Sequence, residues 1–309
     1  MDGPLLSTAG LRFAYGDIVA LDGVDLEVPP GRIGLVGANG AGKTTLLKVL
    51  LGILPLQSGA ASVLGLSATE QVLGIRSRVG YMPEGSCLPP DQTAADFIGY
   101  AAELAGLTGR AARQRASDVL TLVGLHEERF RYIREYSTGM LQRAKLAQAI
   151  VHDPDLVLLD EPTAGLDPEG REEMLDLVTR LEGFGIHSVL SSHVLTDIEQ
   201  TCDWVVMLDG GSVLRSGPLT ELSIAEQVSL EVLGDPAPVA RMLEQRGAVV
   251  ALADRTIQVR HDTADPFDLV LDVLADTGTG LRRMAPHRTT LEDVFLEGSS
   301  EEPERSADV

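Results

Sequence analysis

Apolar positions near the start of the chain alternate with polar ones and are interrupted by turns rich in Gly and Pro. Over residues 11–36 this alternation predicts short strands joined by turns. The last of these strands covers 32–36, and the Leu-rich stretch 45–51 that follows it predicts a helix. Residues 58–82 contain further strand candidates, which end in the segment 78–82.

A second pattern, in which Ala and Leu recur at helical spacing, comes next. The stretch 93–123 predicts two amphipathic helices broken at Gly106 and Gly109, and a third helix is expected over 140–151. We therefore predict a helical subdomain at about 85–151, inserted into the core of the domain.

Strands and helices alternate after this insertion. The predicted order is strand 155–160, helix 168–183, strand 188–190, helix 194–201, strand 204–208 and, after a turn, a last strand. Such alternation predicts a mostly parallel sheet covered on both faces, to which the N-terminal antiparallel strands are added. The fold class predicted for residues 1–223 is therefore α/β.

Residues 224–298 show a separate pattern, which predicts an accessory α+β domain. The expected order is strand 228–232, helix 238–246, strands 249–252 and 256–259, helix 266–277 and strand 281–284. This order, β-α-β-β-α-β, is the split βαβ arrangement. A final helix is expected to begin at Thr290, and the acidic tail 299–309 is expected to be disordered.

Composition limits the environment and the partners of the chain. It has 309 residues, of which 44% are hydrophobic, enough for one large or two modest cores. No apolar run is long enough to span a bilayer, the start lacks the features of a secretory signal, and the two cysteines, Cys87 and Cys202, fit a reducing cytosol. A net charge of −21 argues against a nucleic-acid partner. It is compatible with docking on basic loops of a membrane protein, although plain solubility is the more common meaning of an acidic surface.

The stretch from Gly37 to Thr44 fits the pattern G-x-x-x-x-G-K-[ST] and stands between a predicted strand and a predicted helix. Glycines let the backbone turn so that its N–H groups and the helix N-terminus face an anion. Lys43 is expected to reach the β- and γ-phosphates of a nucleotide, and the Thr44 hydroxyl to ligate Mg²⁺. The predicted strand before this stretch and the predicted helix after it make a chance match in an ordinary Gly-rich turn less probable. The sequence therefore predicts a nucleotide-phosphate site.

Two carboxylates, Asp160 and Glu161, stand at the end of an apolar strand. Ligands bind at that edge of an open parallel sheet, and the phosphate loop emerges from the same edge. Asp160 is therefore expected to hold Mg²⁺ directly or through water, and Glu161 to polarise an attacking water. The alternative, a pair of solvated acids at a strand end, is disfavoured by the nearby phosphate loop.

With these motifs, residues 5–223 resemble the ATP-binding subunits of ABC transporters, whose core is a P-loop NTPase. The matching motifs are an adenine-stacking aromatic at Tyr15, the phosphate loop at 37–45, a Q-loop at 81–84, a signature at 136–140, a D-loop at 164–167 and a switch histidine at His193. The nucleotide-binding residues that the resemblance implies are Tyr15, Gly37, Asn39, Gly40, Gly42, Lys43, Thr44, Thr45, Glu84, Ser137, Gly139, Asp160 and Asp167.

The resemblance further implies an ATPase that uses ATP and Mg²⁺. Its catalytic residues would be Glu161, His193 and Lys43, with His193 contacting the γ-phosphate. Its metal site would comprise Thr44, Asp160 and Glu84. Taken alone, His193 would more simply be a surface histidine, and Tyr15 an aromatic residue of ordinary partial burial.

The resemblance also implies partners. Ser137 and Gly139 at a helix N-terminus form a second anion site. In the family that site and the phosphate loop come from opposite protomers of a head-to-tail dimer, which implies a second ATPase subunit in a homodimer. The end of the accessory domain, residues 286–297, resembles ATPases paired with ABC-2-type permeases, a class that exports drugs and polysaccharides. This class implies a permease partner and a location at the cytoplasmic face of the cell membrane, and because the sequence contains no apolar run that could span a bilayer, we expect the permease to be separately encoded. The simpler expectation for the accessory domain itself is that it stabilises the chain or braces the dimer and binds no ligand of its own.

Two places depart from the family pattern. Glu84 stands where Gln is usual, and its carboxylate can ligate Mg²⁺ but adds negative charge beside ATP. The signature has Thr138 and Met140 in place of the commoner Gly and Gln, whereas Ser137 and Gly139 are kept.

Two other functions stay open at this point. One is an ABC ATPase that acts on nucleic acid or on the ribosome, which the single phosphate loop and the acidity disfavour. The other is a nucleotide switch that does not hydrolyse ATP, which Glu161 and His193 disfavour.

Overall fold

The structure, a computed structural model, describes residues 3–222, 226–253, 255–260 and 266–288. The chain divides into two compact units, residues 1–217 and 218–309. The strands of the first unit are β1 (Leu6–Tyr15), β2 (Ile18–Val28), β3 (Arg32–Val36), β4 (Ser58–Val63), β5 (Leu66–Ser67), β6 (Val79–Met82), β7 (Leu156–Asp160), β8 (His187–Ser192), β9 (Trp204–Asp209) and β10 (Ser212–Pro218). Its helices are α1 (Lys43–Leu50), α2 (Val72–Arg78), α3 (Ala94–Leu104), α4 (Gly109–Leu122), α5 (Thr138–Ile150), α6 (Pro168–Leu181) and α7 (Leu195–Thr201).

The central sheet of this unit has the strand order β10-β9-β3-β8-β7-β6 in the described part of the chain. β3 pairs in parallel with β8 and β9, and β7 pairs in parallel with β6 and β8. β7 is buried along its whole length, as expected for a strand inside an α/β sheet. A second sheet, with the order β2-β1-β4-β5, pairs its strands antiparallel. The predicted α/β class, with antiparallel strands near the N-terminus, is confirmed.

One apolar core joins the antiparallel strands, the first helix and the parallel sheet. Leu21 of β2, Leu47 of α1 and Leu158 of β7 belong to it and are fully buried. Because α1 begins where the phosphate loop ends, its buried leucines hold that loop in place against the sheet.

The segment between β6 and β7 contains α3, α4 and α5, which confirms the predicted helical insertion. The side chains of Thr93 and Ser137 cap the starts of α3 and α5, each accepting a hydrogen bond from a backbone N–H three residues further on (3.1 and 3.3 Å). The Arg115 guanidinium of α4 donates to the carbonyls of Val151 (2.9 Å) and Ile150 (3.1 Å), and so ties the end of α5 to its neighbour.

The strand candidates predicted within 58–82 are confirmed as β4, β5 and β6. Between β5 and β6, residues 72–78 form the helix α2, which the sequence pattern did not predict. So short an apolar run does not distinguish helix from strand by its pattern. Tertiary contacts decide here: Ile75 is fully buried, and the Arg76 guanidinium donates to the carbonyls of Leu51 (3.0 Å) and Gly52 (2.8 Å).

The described residues of the second unit form a four-stranded sheet, a short first helix and two longer helices. Its elements are α8 (Leu219–Leu222), β11 (Glu226–Val232), α9 (Ala237–Gln245), β12 (Val249–Ala253), β13 (Thr256–Arg260), α10 (Pro266–Thr277) and β14 (Leu281–Arg288). The strand order in the described residues is β12-β13-β11-β14, with antiparallel neighbours, which confirms the split βαβ arrangement. Leu230, Val239, Val259 and Val270 lie in its core. The predicted helix from Thr290 and the tail lie outside the described residues.

None of the described helices combines the length and the apolar character that crossing a bilayer requires.

The contact between β6 and α5 leaves no room for a side chain at Gly80, where a Cβ would lie 2.0 Å from the carbonyl oxygen of Ala149. We expect Gly80→Ala to lower the free energy of unfolding by about 1–3 kcal/mol, because the strand or the helix has to move. Gly99→Ala in α3 is the matched control, since its Cβ would meet nothing within 4 Å. That change is expected to stabilise by up to about 1 kcal/mol through helix propensity. Urea denaturation measures both, and equal effects would contradict the tight contact.

Candidate active site

The loop between β3 and α1 forms a cradle that requires glycine at two positions. A Cβ on Gly37 would lie 2.4 Å from the carbonyl oxygen of Leu208, and a Cβ on Gly42 would lie 2.5 Å from that of Ala20. Gly42 also has a φ of +102°, in the left-handed region that favours glycine. The tight turn therefore depends on residues without side chains, as the sequence pattern indicated.

Lys43 is the first residue of α1 and is 6% exposed. Its ammonium donates to the carbonyl oxygens of Gly37 (2.6 Å) and Ala38 (3.3 Å), and lies 3.6 Å from Glu161 Oε1. A buried cation at the mouth of a glycine loop is suited to an anionic ligand. The attraction between the two charges would offset the free energy lost when the ammonium is desolvated.

Asp160, at the end of β7, is 1% exposed and is held by hydroxyl groups. Its Oδ1 accepts hydrogen bonds from Thr44 Oγ1 (3.0 Å) and from Ser191 Oγ (2.8 Å). The Tyr81 hydroxyl lies 3.5 Å from Oδ2. Burial, together with the neighbouring Asp160, raises the pKa of Tyr81, so its hydroxyl stays protonated at neutral pH and can only donate to this carboxylate.

Glu161 adopts a φ of +50°, which is uncommon for a residue other than glycine. Its backbone N–H donates to the Ser191 side chain (3.0 Å) and carbonyl (3.2 Å), which fixes this turn against β8. Its Oε2 is in hydrogen-bond contact with His193 Nδ1 at 2.8 Å. Its Oε1 is buried and has no hydrogen-bond partner among the described residues, although it forms an ion pair with the Lys43 ammonium at 3.6 Å. This oxygen can therefore still accept a hydrogen bond from a ligand.

These groups surround a cavity of about 540 Å³. It brings together ten predicted site residues: Tyr15, Asn39, Gly40, Gly42, Lys43, Thr44, Thr45, Glu84, Glu161 and His193. Gly37 and Asp160 are not in its lining but bond to Lys43 and Thr44, which are. Tyr15 is half-exposed at the rim, so its ring is accessible to a ligand.

The remaining predicted residues, Ser137, Gly139 and Asp167, lie in a different cavity of about 470 Å³. Two helix N-termini contribute to it, because Ser137 caps α5 and Asp167 caps α6 by accepting from the N–H of Gly170 (2.9 Å). Met140, which departs from the family pattern, also lines this cavity. The single chain therefore carries two separate candidate anion sites.

Ser191 was missed as a functional residue by the sequence analysis, although it stands two positions before His193. It is fully buried, and it bonds both Asp160 and the backbone of Glu161. The signal lies in the strand register, since β7 and β8 are neighbours and Asp160 faces Ser191. A single sequence does not reveal which strands are neighbours.

Removing the Ser191 hydroxyl is therefore expected to disturb both acids. We expect Ser191→Ala to lower kcat for the ATP hydrolysis that the sequence predicts by roughly 10-fold, since Asp160 and the turn at Glu161 each lose a hydrogen bond. Ser77→Ala is the control, because within the described ranges that hydroxyl bonds only its own helix, at the carbonyl oxygen of Gly74 (2.9 Å). Steady-state phosphate release measures both, and a wild-type rate for Ser191→Ala would contradict the positioning role.

The chemistry of these residues fits a nucleoside triphosphate. The tight loop requires glycine at Gly37 and Gly42, and Lys43 supplies a buried positive charge. Glu161 has a buried oxygen that accepts no hydrogen bond from the described residues. The site and the sheet together define a phosphate-loop nucleoside triphosphatase.

Comparisons with known proteins give the family. The family described as "ABC transporter" matches residues 21–164. The uncharacterized ABC transporter ATP-binding protein YxlF of Bacillus subtilis is 33% identical over 94% of this chain and 98% of its own length. The Nod factor export ATP-binding protein I of Ralstonia nicotianae is 33% identical over 95% of this chain and 93% of its own. The daunorubicin resistance ATP-binding protein DrrA3 of Streptomyces coeruleorubidus is 33% identical over 94% of both chains.

Solved structures agree with this assignment. An ATP-binding subunit of an ABC transporter is 29% identical, with a TM-score of 0.63, and the match covers 71% of this chain and 91% of that one. A cassette solved as a dimer with ADP and Pi has the same TM-score of 0.63 at 22% identity, over 69% of this chain and 98% of that one, and so shares the fold. The chain belongs to the ATP-binding proteins of ABC transporters, and it is an ATPase of that family.

Proposed function

We propose that this chain is the ATP-hydrolysing subunit of an ABC-2-type exporter, that it dimerises on ATP and that it drives a separate membrane permease. The exporter class is supported by relatives named for Nod factor export and for daunorubicin resistance, which match over almost the full length of this chain. The match therefore extends through the accessory unit as well as the ATPase unit.

The proposal that the chain dimerises rests on one observation, the separation of the two candidate anion sites. Lys43 and Glu161 line one cavity, whereas Ser137 and Gly139 line another. In a two-fold dimer of identical chains, the second cavity of each copy would close over the first cavity of the other. Two equivalent ATP molecules would then each be held between a phosphate loop and a helix N-terminus.

Mg²⁺ would be held by Thr44 Oγ1 and Asp160, whose oxygens already lie 3.0 Å apart. Glu84 faces the same cavity and is a further candidate ligand. A hydroxyl, one or two carboxylates and phosphate oxygens are a donor set that suits this ion. When bound, the ion would neutralise charge on the β- and γ-phosphates.

The protein residues would then act on the phosphates and on water. Lys43 would bind the β- and γ-phosphate oxygens. Glu161 Oε1, which accepts no hydrogen bond from the described residues, would accept one from the attacking water. As the water oxygen bonds to the γ-phosphorus, the bond to the bridging oxygen of ADP breaks, and Glu161 takes the water proton. His193, 2.8 Å from Glu161, would hold the carboxylate in place and reach the γ-phosphate.

The permease is expected to contact the Glu84 region and the helical insertion. Two large apolar side chains of α3, within this insertion, are solvent-exposed, Tyr100 at 55% and Leu104 at 70%. Apolar side chains of that size are common in protein interfaces. This contact would place the ATPase at the cytoplasmic face of the membrane.

The proposal is tested with the full chain and the membrane protein encoded beside it. We expect Mg²⁺-dependent phosphate release, an ATP-dependent shift from monomer to dimer in light scattering, and co-purification with a six-span membrane protein. A chain that hydrolyses ATP but neither dimerises nor associates with that protein would overturn the exporter role.

A further inference from the structure

Lys145 is a buried cation of α5 that none of the motifs above includes. It is 6% exposed, and its ammonium donates to the carbonyl oxygens of Glu84 (2.7 Å) and Pro83 (3.0 Å). These two acceptors belong to the loop that follows β6, so the bonds join a helix to a loop about sixty positions away in the chain. Such charge-assisted bonds are stronger than bonds between neutral groups.

The loop that Lys145 holds carries a site residue. Glu84 faces the nucleotide cavity together with Lys43 and Glu161, while its own carbonyl accepts the bond from Lys145. Fixing the backbone of a loop residue on two consecutive carbonyls limits where its side chain can reach. The position of Glu84 in the cavity therefore depends on α5.

Keeping the ammonium here has an energetic cost. Burial lowers the pKa of Lys145, because the charged form loses hydration. An apolar side chain of similar length would fill the same space without that cost. The ammonium is kept here despite this cost, which is consistent with a need to hold the loop at Pro83 and Glu84 in one conformation.

We propose that Lys145 is a positioning residue that sets the reach of Glu84 into the nucleotide cavity. Because Lys145 lies on the helix that Ser137 caps, it also connects the second anion site to the first one within one chain. Displacement of α5 when its N-terminus meets a phosphate would move the Glu84 loop with it. This inference rests on the proposed function, since it assumes that Glu84 acts on bound ATP.

The test is a double-mutant cycle on ATP hydrolysis by the full chain, with Lys145→Met and Glu84→Ala. We expect each single change to lower kcat by roughly 10-fold or more and to leave the Kd for ATP within about 2-fold. The double variant should be no more than about 2-fold slower than Glu84→Ala, because Lys145 acts through Glu84. A further 10-fold loss in the double variant, or wild-type kcat in either single variant, would overturn the proposal.

Two variants separate positioning from folding. Lys145→Arg keeps the charged donors, and the adjacent cavity of about 350 Å³ that Lys145 lines has room for the larger head group, so most of the rate should return. Arg115→Met removes a cation that also donates to two carbonyls, but at the far end of α5, and should keep wild-type kcat. Equal losses in Lys145→Met and Arg115→Met would show a structural effect and overturn the proposal.

Lys145→Met should fold, because water in the same cavity can hydrogen-bond to the carbonyls of Pro83 and Glu84 that the ammonium no longer contacts. Circular dichroism checks this. If Lys145→Met does not fold, Lys145→Gln, which keeps an N–H donor, replaces it in the cycle with the same criterion. A wild-type chain without phosphate release would instead refute the proposed function.

Discussion

Glu161→Gln is expected to lower kcat for ATP hydrolysis at least 100-fold while ATP still binds. The amide keeps the size of the side chain but cannot take a proton from water. In the wild type, Glu161 Oε1 accepts no hydrogen bond from the described residues and is the acceptor for that proton. Because binding persists and turnover stops, the ATP-bound dimer should accumulate. Phosphate release measures the first effect, and light scattering with ATP measures the second.

The control for this change is Glu172→Gln, an exposed acid of α6 that lines neither cavity. It removes the same charge and should hydrolyse ATP at the wild-type rate. Full hydrolysis by Glu161→Gln would show that another group accepts the proton, and the catalytic role of Glu161 would have to be withdrawn.

Lys43→Ala is expected to weaken ATP binding by roughly 10- to 100-fold and to lower kcat as well. The lost interaction is a charge-assisted hydrogen bond to phosphate, worth about 1.5–3 kcal/mol. The change also frees the carbonyls of Gly37 and Ala38, which the ammonium holds at 2.6 and 3.3 Å, so the loop itself should loosen.

Isothermal titration with ATP gives the Kd of Lys43→Ala, and phosphate release gives kcat. Lys48→Ala, one turn further along α1 and outside the nucleotide cavity, is the control and should bind ATP like the wild type. If both variants bind ATP normally, the phosphate contact assigned to Lys43 is wrong.

Local chemistry made part of this site predictable from sequence. The strand, glycine loop and helix around Lys43 follow one another in the chain, and the apolar run before Asp160 identifies a buried strand that ends in acids. Because these motifs are continuous in sequence, neighbouring residues alone were enough to predict them. The split βαβ order of the second unit was predictable for the same reason, from strand and helix patterns in series.

The rest depends on neighbours that are distant in sequence. The Ser191 hydroxyl donates to Asp160 because β7 and β8 are neighbouring strands. The Lys145 ammonium donates to the Glu84 carbonyl because α5 lies beside the loop after β6. Likewise Arg76 of α2 donates to the carbonyls of Leu51 and Gly52, which lie on the other side of β4 and β5 in the chain. Hydrophobic periodicity holds no information about such pairings, so a single sequence did not reveal them.

The left-handed backbone of Glu161 has a consequence for engineering this protein. Holding a residue with a side chain at a φ of +50° costs on the order of 1–3 kcal/mol. Glycine or asparagine would relieve that strain, so a search for variants with higher melting temperatures would favour them at this position. Such variants would have lost the carboxylate. Heat resistance and turnover are therefore opposing demands at residue 161, and variants should be selected for both together.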